Sequence, residues 1–107
     1  MSKKFWGYWR IVEMELWDRS FIDAEVEGFI KFSKNGNGEF QFGYVHGFID
    51  YQISKLDPDS SIEFSWEGSD EIEPTFGRGF ASLENGNLVG CIYFHQGEHS
   101  GFKAIKK

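Results

Sequence analysis

Between Phe76 and His95, apolar and polar residues alternate with a period of two on either side of Asn85-Gly86. That period marks β-strands. Asn-Gly between two such runs is the strongest short-range signal for a type I′ hairpin turn, which needs φ > 0 at both central residues. The turn fixes the register. Gly77 faces Phe94, Gly79 faces Ile92, Ala81 faces Gly90 and Leu83 faces Leu88, so one face sets small residues against large ones. The other face pairs Phe76 with His95, Arg78 with Tyr93, Phe80 with Cys91 and Ser82 with Val89, mixing apolar and polar groups. The pattern leaves open which face is interior.

The same reading extends along the chain. Phe5 to Trp17 is rich in aromatic and β-branched residues and reads as a first strand, with Trp9, Ile11, Glu13, Glu15 and Trp17 on one side. Both its sides are mixed, so either a bulge switches faces midway or both faces find cover. Between Asp18 and Glu27 a short helix fits, with Asp18 as N-cap and Gly28 as terminator; an irregular crossing loop is the alternative. Gly28–Ser33 and Glu39–His46 read as a second hairpin. A three-residue loop with Gly38 in the left-handed bulge position would pair Phe32 with Phe42 and Ile30 with Tyr44, keeping one face continuous. After Gly47 the chain resumes at Phe48–Ile53, either as a new strand or as the previous one continued through a tight bend, turns at Asp57-Pro58-Asp59, and alternates again from Ser61 to Glu67 with Ile62, Phe64 and Trp66 inward. Gly68–Pro74 reads as an acidic loop, and a last strand runs from about Ser100 to Lys106.

Seven or eight strands joined by hairpin-length connections describe an all-β, antiparallel up-and-down meander in a single domain, residues 1–107. Such a sheet buries itself best by forming a small closed or partly open barrel.

Composition sharpens this picture. The 107 residues include 12 Phe, 4 Trp and 13 Gly but only 2 Pro, which favours short strands and tight turns over a helical bundle. A formal net charge of −6 disfavours a nucleic-acid partner. One cysteine, Cys91, excludes an intrachain disulfide, and neither a signal peptide nor a membrane-length apolar run is visible. A cytoplasmic protein with no membrane partner and no cofactor is the expectation.

Two resemblances bear on the fold. Gly7-Tyr8-Trp9, opening the first strand, resembles the Gly-x-Trp signature of the lipocalin and wider calycin group, which implies a calycin-like barrel with room for a small apolar ligand inside. Over most of the chain, Gly38–Gly43, Phe64–Gly68 with Asp70-Glu71, Gly77-Arg78-Gly79 and Gly90 through His95 to Gly97 are similar to a family of small uncharacterised bacterial proteins. That likeness implies no activity.

Candidate chemistry is sparse. Carboxylates at Glu63, Glu67, Asp70, Glu71 and Glu73 have the oxygen donors that Ca²⁺ or Mg²⁺ takes, but their spacing fits no EF-hand, and a solvated loop explains them. His95 and His99 straddle a turn rather than sharing a helix face, so no metal site is expected. Cys91 sits mid-strand, where a thiol acts as a small hydrophobe. If the Arg78 face lined the interior, Arg78 would need a carboxylate such as Glu13 or Glu67. Arg78, Tyr93 and His95 would then orient the polar end of a ligand, with Glu13, Glu67 and Trp9 completing the candidate ligand site. An arginine stacked on Tyr93 at the surface is the competing reading.

Three functions follow in order. The first is a non-catalytic interaction module that self-associates as a dimer, because strands with apolar residues on both faces leave exposed apolar area. The second is a small-molecule-binding barrel with a polar anchor inside. The third, ranked last, is an enzyme using Glu13 and Glu67 as acid and base.

Overall fold

The alternation is realised as eight strands. The computed structural model describes residues 3–58 and 60–107, so Asp59 of the expected 57–59 turn lies outside the described residues. The strands are β1 (Gly7–Met14), β2 (Phe29–Phe32), β3 (Asn37–Phe42), β4 (Val45–Ile53), β5 (Ser61–Asp70), β6 (Glu73–Glu84), β7 (Asn87–Phe94) and β8 (His99–Lys106), with one helical turn, α1 (Arg19–Ile22), between β1 and β2. Each strand pairs antiparallel with its successor, and β8 pairs with β1, closing the meander into a barrel. Among the described residues no helix is long and apolar enough to cross a membrane.

The β6–β7 hairpin has the register that Asn85-Gly86 dictates, from Gly77 opposite Phe94 to Leu83 opposite Leu88. Asn85 and Gly86 adopt φ of 54° and 84°, as a type I′ turn requires. The small-against-large face points inward: Ala81, Leu88 and Ile92 are buried, while Arg78, Phe76 and Phe80 project outward. Between Ile11 and Glu13 the β1–β8 register shifts by one residue. This bulge takes the inward role from Trp9 and Ile11 and passes it to Met14, which resolves the mixed faces of the first strand.

Three expectations are corrected. The β2–β3 connection is a four-residue loop, Ser33–Gly36, and pairs Ile30 with Phe40 instead of Tyr44 and Phe32 with Gly38 instead of Phe42. The parity is as expected, so Ile30, Phe32, Phe40 and Phe42 still share the inner face, but the register moves by four. The Asn35 side chain accepts a bond from the Asn37 N–H at 3.1 Å, which turns the chain earlier and frees Gly38 for the ladder. A further tight turn at Gly43-Tyr44 separates β3 from β4, so Val45–Ile53 is one continuous strand. The stretch expected as an acidic loop is instead a hairpin: β5 runs to Asp70 and pairs it with Glu73 around Glu71-Ile72.

The helix is N-capped as expected, with the Asp18 carboxylate accepting from the Phe21 N–H at 3.1 Å, but it ends at Ile22 rather than near Gly28. It closes one end of the barrel. Ile22 is fully buried, and Trp17 stacks on Phe21 at 5.8 Å and tilts against Phe42 at 5.1 Å. Phe5, just ahead of β1, is buried in the same core, and its carbonyl accepts from the Trp9 indole N–H at 3.0 Å. Between these plugs the interior holds the rings of Phe32, Phe40, Phe42, Phe64, Trp66 and Phe102, with Phe40 edge to face on Trp66 at 5.0 Å between centroids and stacked on Phe42 at 5.8 Å.

Inward glycines let the sheet coil this tightly. A Cβ at Gly77 would overlap the Tyr93 carbonyl oxygen, and one at Gly68 would overlap that of His46. Gly77→Ala is therefore expected to destabilise the fold by about 1–3 kcal/mol, the usual cost of overpacking; a urea midpoint unchanged from wild type would show that the strands have room to part. Four carboxylates are held below their ordinary range: Asp23 by the Gly28 N–H and then Arg10, Glu39 by its bond to His46, Glu27 by Lys107, and Asp18 by the Phe21 N–H. Because folding lowers these pKa values, their stabilisation is complete above the ordinary values of 3.8 for Asp and 4.5 for Glu and is lost as pH falls through the lowered ones. Melting temperature should thus hold steady from pH 7 to about 5 and drop below about 4.5, with a shallower drop in Asp23→Asn.

Candidate functional site

With the interior occupied by rings, the polar and aromatic residues that remain unexplained lie outside. Antiparallel pairing aligns outward side chains in rows across the strands. One row runs Glu39, Phe48, Glu67, Phe76, with His95 stacked on Phe76 at 4.6 Å. The next runs Asp50, Ser65, Arg78, Tyr93, His99. A third runs Gln52, Glu63, Phe80, Cys91. Phe48, Phe76 and Phe80 are 56%, 54% and 43% exposed, so the outer face of β4–β7 carries three large rings in water.

Electrostatics on this face are unpaired. Arg78 lies 4.3 Å over the Tyr93 ring, and Tyr93 stacks in turn on His99 at 5.1 Å. Among the described residues no carboxylate lies within ion-pair distance of Arg78, and no cation within that distance of Glu63, Glu67 or Asp50. Glu39 differs, being held by His46 at 2.6 Å and Lys31 at 3.5 Å. All three histidines flank the patch, since the His46 ring also packs on Phe48 at 4.8 Å. Ser65, the smallest outward residue at the centre, lines two adjoining open grooves. One, of about 700 Å³, includes Arg78, Phe80 and Tyr93; the other, of about 620 Å³, includes Phe48, Glu67 and Phe76.

The residues singled out in the sequence therefore divide. Arg78, Tyr93, His95 and Glu67 come together, but on the outside. Trp9 is buried in the core, and Glu13 projects from β1, four strands from Glu67 on β5. The interior polar anchor is corrected on this geometry: inward glycines at Gly77 and Gly79 put their neighbour Arg78 on the solvent side, where a ring and water replace the buried carboxylate it would have needed. The separation of Glu13 and Glu67 likewise leaves them no shared acid–base site.

Cys91 is buried between Phe80 and Gly101, and that burial pushes its thiol up, away from the nucleophilic thiolate. The adjacent Cys91 in turn raises the Tyr93 hydroxyl. Phe48 was legible as a strand residue but not as part of the site. The signal was the alternation of Val45, Gly47, Ile49 and Tyr51, which turns His46, Phe48 and Asp50 outward once β4 is read as one strand. Comparison with protein-family models, with curated proteins and with solved structures finds no match for the chain.

Proposed function

We propose that the protein is a non-catalytic interaction module that self-associates through the outer face of β4–β7. The observation that carries this reading is three large rings on one outer face, Phe48 on β4 and Phe76 and Phe80 on β6, each more than 40% exposed and interleaved with Glu67 and Arg78. Burying one such ring is worth about 1.5–3 kcal/mol, a gain that a barrel already filled with its own side chains cannot supply from within. Exposed aromatic rings interspersed with an arginine and flanked by histidines have the composition of a contact surface, where aromatic residues and Arg are enriched. A stable interface needs about 800 Å² from each partner, roughly an eighth of the 6248 Å² surface.

Sedimentation velocity tests the reading. Wild-type protein is expected to dimerise at micromolar concentration. Phe76→Ser should weaken the dimer about tenfold or more, the cost of losing a central aromatic anchor, while leaving the thermal unfolding of the barrel intact. A strict monomer up to about 100 μM, a concentration at which even an interface of −5.5 kcal/mol associates, would remove self-association.

A further inference from the structure

We infer that two copies meet face to face across a two-fold axis that runs along the sheet surface through Phe76 and Ser65 and pairs Arg78 of each copy with Glu67 of the other. This rests on the self-association proposed above and specifies its geometry.

Four outward residues form a small rectangle on β5 and β6. Glu67 is opposite Phe76, and Ser65 is opposite Arg78, with sides of roughly 5 by 7 Å set by strand spacing and the two-residue repeat. Arg78 and Glu67 occupy one diagonal, Phe76 and Ser65 the other. In a face-to-face pair the two-fold lies in the contact plane, and each residue meets the one reflected across that line. With the axis along the Phe76–Ser65 diagonal, Phe76 packs against its own copy, and Arg78 and Glu67 each fall near the other's position, the unequal sides leaving an offset of about 3 Å that both long side chains span. Each guanidinium then meets a carboxylate, and each carboxylate a guanidinium.

Three features favour a second copy of this chain as the occupant. First, Arg78 and Glu67 each lack an oppositely charged partner among the described residues of their own chain, yet stand diagonally beside each other. A face carrying both signs in one rectangle is complementary to itself. Second, the charge is already placed: Tyr93 underlies the Arg78 guanidinium at 4.3 Å, and His95 backs Phe76 at 4.6 Å, so less side-chain freedom is lost on contact. Third, Ser65 leaves a gap shared by both grooves, and the axis passes over it, so the backbones can approach without overlap. The same axis sets Glu63 of each copy near Asp50 of the other, a like-charge contact in a chain of net charge −6 that the two Arg78–Glu67 pairs and the Phe76 contact offset.

Charge reversal tests the arrangement. Arg78→Glu and Glu67→Arg should each weaken the dimer about tenfold or more, because each sets like charges opposite at both pairs. An equimolar mixture of the two variants should form a heterodimer within about threefold of the wild-type affinity, since both pairs are then restored. The axial position supplies an independent readout. In a Cys91→Ser background, Ser65→Cys should cross-link to its own copy under mild oxidation, whereas Glu63→Cys should not. A wild-type dimer whose affinity ignores both reversals, a mixture that stays as weak as its components, or cross-linking at Glu63→Cys in place of Ser65→Cys overturns this geometry while leaving self-association standing. A wild-type monomer overturns self-association itself.

Discussion

Volume inside the barrel is the constraint on which the rest depends. Eight strands enclose just enough space for side chains to fill, and twenty aromatic residues in a chain of this size more than fill it. The solution is a division between strands. Trp66 and Phe40 pack over Gly47, Phe64 covers Gly79, and Phe102 covers Gly90, so rings from one strand occupy room that glycine leaves on another. Because those glycines face inward, their neighbours Phe48, Arg78 and Phe80 must face outward. The filled core and the aromatic surface are two results of a single alternation.

This division also explains how much of the molecule was legible in its sequence. The β6–β7 hairpin could be read residue by residue, since Asn85-Gly86 admits one turn and the strands on either side run without interruption. The β2–β3 hairpin could be read only to parity: Asn35-Gly36-Asn37-Gly38 offers several glycines able to turn, and alternation cannot distinguish registers that differ by an even number. The Glu71-Ile72 turn was hidden because its charged flanks resemble a loop, and only long-range pairing of Ser69 with Pro74 and Asp70 with Glu73 makes them strand. The site was harder still. Its residue types were visible in the sequence, but inside and outside are assigned by the partner strands. A reading that left the hairpin's faces undecided held both a buried anchor and a surface stack open for Arg78.

On the outer face, the rows running across β3–β8 bring together residues far apart in sequence, from Glu39 to His99, through strand pairing. Positions fixed by a closed hydrogen-bonded sheet are rigid, and a contact surface made from them loses little freedom on binding. The groove holding Phe48, Glu67 and Phe76 is lined by strand residues alone, whereas the one holding Arg78 and Phe80 also takes Ser54, Leu56 and Asp57 from the β4–β5 connection.

The closure between β1 and β8 has a consequence of a different kind, in the order of folding. Every other ladder joins strands adjacent in the chain, whereas this one brings Trp9 beside Lys106. Bringing such distant residues together costs the most chain entropy of any pairing in the molecule, so local hairpins have every advantage in forming first. Until the ring closes, the sheet carries two unpaired edges and the rings of its inner face meet water. Closure of that one ladder therefore separates an open, association-prone sheet from a self-contained barrel.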